Sequence, residues 1–167
     1  MHIREVQRED AERLRTLIST VESEASFMLM EPGERNLTIE QQESMIQHFI
    51  ANGHSTIVLA EYKTKLIGYV IAIGGEVHRT NHSLRLVIGV LQSYRGQGIG
   101  QKLFDYIDSW AKQRGIVRME LSVVTVNERA IRLYKKCGFT IEGEKRKSLR
   151  IDDVFYNEYV MSKLLHT

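Results

Sequence analysis

The residues most able to do chemistry in this chain are Arg95, Gly96, Gln97, Gly98, Ile99 and Gly100. An apolar run, Leu84 to Leu91, leads into them, and an amphipathic pattern leaves them with Ile99, Leu103, Phe104, Ile107, Trp110 and Ala111 on one side. That order predicts a strand, a tight glycine turn and a helix. Glycines let the main chain turn sharply and keep Cβ atoms away from a ligand. The first amides of the helix lack intrahelical acceptors and lie at the positive end of its dipole, so the turn is suited to phosphate. Arg95 adds a forked cation for phosphate oxygens. Two common glycine-loop classes do not fit. A P-loop needs Gly-Lys-Ser/Thr, but Gly100 is followed by Gln101, Lys102 and Leu103. A dinucleotide fingerprint needs a third glycine at 101 or 103, where Gln101 and Leu103 stand.

A second chemical group lies downstream. Asn127 is placed to cap a helix, and Tyr134 follows two helical turns later, on the same face. A phenol within hydrogen-bond reach can donate a proton to a departing anion. Position alone favours a simpler role, a core tyrosine whose hydroxyl meets a carbonyl. His78 and His82 share a polar loop with no third ligand nearby, so no metal is expected. Cys137, the single cysteine, is expected to be an inert, buried thiol. Lys135, Lys136, Lys145, Arg146 and Lys147 form a basic cluster that reads first as solvated charge.

The elements that must hold these groups follow from the hydrophobic pattern. His2 to Val6 reads as a first strand. A helix begins near Asp10, taken as its N-cap, with Ala11, Leu14, Leu17, Ile18 and Val21 facing inward. Ser23 to Leu37 is irregular, with a turn at Glu31-Pro32-Gly33-Glu34 and the apolar residues Phe27, Met28, Leu29 and Met30 either packed beneath it or lining a substrate mouth. Thr38 and Gln41 form a capping box for a second helix, with Met45, Ile46, Phe49 and Ile50 inward and Gly53 as its stop. Strands are expected at Ser55 to Tyr62, Leu66 to Ile73 (buried on both faces), Leu84 to Leu91, Val117 to Val126, Phe139 to Glu144 and Val154 to Lys163. Helices run from Gly98 to Arg114 and from Asn127 to Gly138, and Lys145 to Asp153 reads as a charged turn. The order β, α, α, β, β, β, α, β, α, β, β predicts an α/β (α+β) fold. It is a single mixed, mostly antiparallel sheet with helices on both faces, and residues 1–167 make one domain.

Composition sets the outer limits. Of 167 residues, 43% are hydrophobic and 26% charged, ordinary for a globular protein, and the net charge of +2 gives no argument for nucleic acid. One cysteine excludes a disulfide framework. No signal-like or membrane-length apolar segment occurs, so a cytoplasmic location without membrane partners is expected.

The pattern Arg95, Gly98, Gly100 and the block Asn127, Ala130, Leu133-Tyr134, Gly138-Phe139 together resemble the two signature blocks of the GNAT family of N-acetyltransferases. The resemblance spans roughly residues 55 to 164 and leaves the first third matched only in layout. It implies acetyl-CoA as cosubstrate, its diphosphate on the amides of Gly96 to Gly100 beside Arg95. It implies that Ile88-Gly89-Val90 pairs with the pantetheine arm as if with a strand, provided that the strand after Arg118 splays away. Asn127 then stands beside that arm, Tyr134 becomes the general acid, and an amide near Val90 polarises the carbonyl. The acceptor is a primary amine of a small molecule, an amino acid or a protein N-terminus, attacked in a ternary complex. Dimers are common in that family, so a homodimer is a further expectation. The general base is not assigned: the Leu84 to Leu91 strand contains no carboxylate, and Glu120 and Glu76 are weak candidates. The basic cluster at 145–147 is a candidate for the 3′-phosphate of CoA. The rival readings are a non-catalytic CoA-binding sensor or partner protein and, less well supported, a nucleotide-binding α/β domain.

Overall fold

The computed structural model describes residues 1–166. Along the chain run β1 (His2–Glu5), α1 (Ala11–Glu24), α2 (Ile39–Asn52), β2 (Thr56–Tyr62), β3 (Lys65–Gly74), β4 (Ser83–Val90), α3 (Ile99–Gln113), β5 (Arg118–Val124), α4 (Glu128–Lys136), β6 (Thr140–Ile151) and β7 (Val154–Leu164). The strands form one sheet in the order β1-β2-β3-β4-β5-β7-β6. All neighbours are antiparallel except β4 and β5, which are parallel because α3 carries the chain back between them. This is the mixed, mostly antiparallel sheet that the element order predicts.

Helices cover both faces. Gly68 and Tyr69 are adjacent on β3, so they point to opposite sides. A Cβ at Gly68 would touch Ile99 and Leu103 of α3, both at 3.4 Å. Tyr69, on the other side, feels the charge of Glu22 on α1. Between the two layers β3 is buried from Leu66 to Ala72. The expected inward stripe of α1 is buried in full, at Ala11, Leu14, Leu17, Ile18 and Val21. α2 has the expected capping box, Thr38 with Gln41, and ends on Gly53 in the left-handed region. No helix among the described residues is long and apolar enough to cross a membrane.

Three expectations need correcting. Asp10 does not cap α1 with its side chain. Its carboxylate, 2% exposed, accepts from the Gln7 amide at 2.7 Å and pairs with Arg4 and Arg13 at 2.8 Å. Ile50 stands 58% exposed rather than in the α2 stripe, because α2 meets the core over a narrow seam centred on Ile46 and takes in Gln42 instead. The charged segment Lys145 to Asp153 is not a turn. β6 continues through it to Ile151, and the reversal falls on Asp152 and Asp153, at φ 49 and 64°. Pairing with β7, including Lys145 opposite Glu158 and Arg150 opposite Phe155, makes this stretch a strand although most of it is exposed.

Candidate active site

β4 and β5 pair only through Ser83–Arg85 with Arg118–Glu120, and then part. β4 stays bound to β3 along its whole length, so beyond Arg85 its other edge has no strand beside it. The Leu91 amide bonds to the Ile67 carbonyl at 2.9 Å. By strand alternation, Gly89 then turns its polar groups toward β3, while Ile88 and Val90 turn theirs into the opening. The Val90 carbonyl is taken by Nε of Arg95 at 3.3 Å, and the Val90 N–H, facing the gap, has no acceptor among the described residues. Gly89 has a different use. A Cβ there would lie 2.7 Å from the Tyr69 ring, so its bare backbone makes room for that tyrosine.

Past β4 a short 3₁₀ turn, Gln92–Tyr94, leads into the glycine turn. Gly96 and Gly98 have φ of 76 and 79°, and a Cβ at either would meet nothing within 4 Å. They are glycines for their conformation, and the space above them is open. Gly98 is the N-cap of α3 with no side-chain cap, and Lys102 is the first amide to reach a main-chain acceptor, the Gly98 carbonyl at 3.2 Å. The amides of Ile99, Gly100 and Gln101 precede it and lack intrahelical partners, so the helix end is a row of donors at its positive pole. Gly100 also permits close packing: a Cβ there would lie 2.8 Å from Cδ2 of Leu133 on α4. Among the described residues Arg95 uses only its Nε, which leaves its terminal nitrogens without a partner there.

α4 closes the other side. Asn127 accepts from the Ala130 amide at 3.3 Å and fixes the start of the helix. Tyr134, two turns on, is buried against Phe104 and Phe139, ring centroids 5.8 and 6.3 Å away. Burial pushes its phenol up to about 12, and the neighbouring Cys137 adds to the effect. The group therefore keeps its proton at neutral pH and can act as a donor. Burial also pushes the Cys137 thiol up, which makes it a poor nucleophile. α4 thus packs on α3, through Leu133 beside Gly100 and through the Tyr134 ring beside Phe104.

A model of the Acetyltransferase (GNAT) family matches residues 20–139. The chain belongs to this family. An acetyltransferase of the GNAT family from Streptococcus pneumoniae superposes with a TM-score of 0.94 at 30% identity, covering 99% of each chain. An uncharacterised N-acetyltransferase of Mycobacterium tuberculosis is 28% identical over 117 residues, 70% of this chain and 72% of its own. A phosphinothricin acetyltransferase from Sinorhizobium meliloti, solved in complex with acetyl-CoA, shares the fold at TM-score 0.82 and 17% identity, covering 98% of this chain and 88% of its own. The protein is a GNAT N-acetyltransferase, and the family's acetyl donor is acetyl-CoA.

Within this GNAT fold the candidate bases fare poorly. Glu120 sits opposite Arg85, where β4 and β5 part, and is ion-paired to Arg118 at 3.4 Å. Arg85 precedes Val90 by five residues, roughly 16 Å of strand. Glu76 is exposed in the loop beyond β3, near Ser83 and further still from Val90. Lys145, Arg146 and Lys147 are exposed on β6, with Nζ of Lys147 5.5 Å from the Phe155 ring centre. Sequence reasoning passed over Glu22. It is 3% exposed and falls in line with Leu14 and Ile18 on the apolar stripe of α1. A carboxylate at fourfold spacing on an inward face was the available signal.

Proposed function

We propose that this GNAT enzyme transfers an acetyl group from acetyl-CoA directly to the primary amine of a small molecule, an amino acid or a protein N-terminus, within a ternary complex. The parted edges of β4 and β5, ending at a helix terminus rich in free amides, carry the reading. A cosubstrate with an amide-bearing arm and a diphosphate fits that geometry: main-chain groups of Ile88 and Val90 pair with the arm, Gly89 keeps that edge close to β3, and the amides of Gly96, Gln97, Gly98, Ile99 and Gly100 with Arg95 hold the diphosphate. Asn127 flanks the arm from α4. We read residues 1–167 as one catalytic domain.

Acetyl-CoA supplies an activated acyl thioester. The Val90 N–H is placed to hold the carbonyl oxygen as charge develops on it. The neutral amine forms a bond to the carbonyl carbon, the carbon–sulfur bond breaks, Tyr134 donates its proton to the departing thiolate, and the proton shed by the acylated nitrogen passes through solvent to restore the Tyr134 phenol. An alkyl ammonium has a pKa near ~10.4 and must first lose a proton. Glu120 and Glu76 lie at the far end of β4, so neither takes that proton in this reading; the ammonium loses it to solvent and the amine reacts in its neutral form. The rate should accordingly climb with pH toward the pKa of the amine. The test is thiol release from acetyl-CoA with a panel of amines, amino acids and short peptides. Acetylation of at least one class supports the reading. No turnover with any class, beside tight acetyl-CoA binding, would favour a non-catalytic sensor.

A further inference from the structure

A polar cavity of about 240 Å³ lies between α1, α2 and the segment joining them, and its lining includes Arg15, Ser19, Glu22, Arg35 and Gln42. Glu22 is the unusual member, a carboxylate with a side chain only 4% exposed. A buried carboxylate needs a partner. Arg35 provides it, with Nε donating to both oxygens at 3.3 and 3.2 Å. That contact uses the Nε and leaves the terminal nitrogens of Arg35 without a hydrogen-bond partner among the described residues. Arg15 is arranged alike: its Nε donates to the Leu37 carbonyl at 2.6 Å, and its terminal nitrogens are likewise free among the described residues. Gln42, 1% exposed, also lines the cavity, and its Nε2 has no partner among the described residues.

The balance of these groups defines the ligand. Two guanidiniums face one carboxylate, so the cavity carries one net positive charge. Free guanidinium forks bind planar, charged oxygen pairs. A monoanionic carboxylate matches that charge better than a dianionic phosphate. The volume is that of about eight waters, enough for an amino-acid-sized group.

The helix that walls the cavity, α1, ends against the segment that follows β4. Glu22 is in the last turn of α1, and two residues on Glu24 accepts from the Gln92 amide at 3.0 Å, immediately after β4.

We propose that this cavity recognises the acceptor, and that the amine acetylated by this enzyme carries a carboxylate bound by Arg15 and Arg35. Glu22 is a positioning residue that holds Arg35. The inference rests on the acetyl-transfer reading above and narrows its acceptor.

The test compares matched acceptors at saturating acetyl-CoA: α-amino acids, their carboxamides and the decarboxylated amines, with rates corrected for the fraction of free amine. Wild type should prefer the acids by about 10- to 100-fold in kcat/KM. Arg15→Gln should abolish most of that preference by raising the KM of the acids while leaving the KM of acetyl-CoA unchanged. Because removing Arg35 alone strands Glu22, the paired change Glu22→Gln with Arg35→Gln serves as the second variant and should act the same way. A second arm measures binding of the same acids and amides to wild type and Arg15→Gln by thermal shift, without acetyl transfer. Equal turnover of acids and amides, or a preference that survives both variants, overturns the proposal while acetyl transfer stands. Arginine-dependent binding of acids with no transfer to any amine supports the carboxylate subsite and removes the transfer reading. No selective binding and no selective turnover overturns the subsite.

Discussion

Tyr134 is the residue on which the proposed chemistry turns. Its ring belongs to a cluster with Phe104 and Phe139, and only its hydroxyl has a chemical task. Tyr134→Phe should therefore leave the melting temperature nearly unchanged and the KM of acetyl-CoA within about twofold, while kcat falls by ~10²-fold or more. Steady-state kinetics read all three. Unchanged kcat would remove the acid role. With a phenol held at about 12, no loss of rate from its ionisation is expected below about pH 11. Asp10 gives a residue-scale prediction about stability. Burial pushes its carboxyl up, but hydrogen bonds from Arg4, the Gln7 amide and Arg13 outweigh this and hold it at about 2, below its ordinary 3.8. Its contribution is thus complete above pH ~4 and lost as pH falls from there through ~2. An acid titration of wild type against Asp10→Asn should show the two stability curves converging across that window, from a gap of about 2 kcal/mol at neutral pH. The Asn127 cap and the inward place of Tyr134 on α4 were legible because the two stand in a spaced block on one helix face. Asp10 was misjudged because an acidic residue before an apolar stripe reads as a cap, and its true partners, Arg4 and Arg13, become neighbours only when β1 and α1 pack.

Among the elements, those with two independent signals were legible in full. α2 carries both a capping box and a terminal glycine, and α3 has the glycine turn before it and Gly115 after it in the left-handed region. β6 had neither a buried face nor alternation, so its charged half read as a turn although β7 holds it as a strand. The close packing of β4 is the element-scale feature most open to test. A Cβ at Gly89 would press into the ring of Tyr69, a side chain 1% exposed and unable to step aside. Gly89→Ala should cost ~1–3 kcal/mol, a fall of several degrees in melting temperature, and Tyr69→Leu in the same chain should recover part of it. Additive losses from the two changes, measured by thermal unfolding, would show that the contact does not decide the glycine. Gly98→Val acts elsewhere. Its Cβ would meet no protein atom, so the penalty is the left-handed backbone at φ 79° and a side chain standing where the diphosphate is placed.

At the scale of the whole molecule, the proposed function follows from a sheet left incomplete between β4 and β5. β5 is held to β7 along its length and to β4 for only a short stretch, so a gap opens beside Ile88 and Val90. The need for such a splay came with the family resemblance, but its place could not be read, because no residue marks where two parallel strands stop pairing. The acceptor side was hidden for a similar reason: Arg15, Glu22, Arg35 and Gln42 come from α1, α2 and an irregular segment, and only packing assembles them. The central claim is that the gap and the glycine turn bind acetyl-CoA, and thermal unfolding of wild type and Gly98→Val with and without acetyl-CoA tests it most directly. At ~100 times its dissociation constant the ligand should add ~2.7 kcal/mol to wild type, a rise of roughly 5–10 °C, and little to the folded Gly98→Val variant. No rise in wild type, or an equal rise in both proteins, would contradict the account.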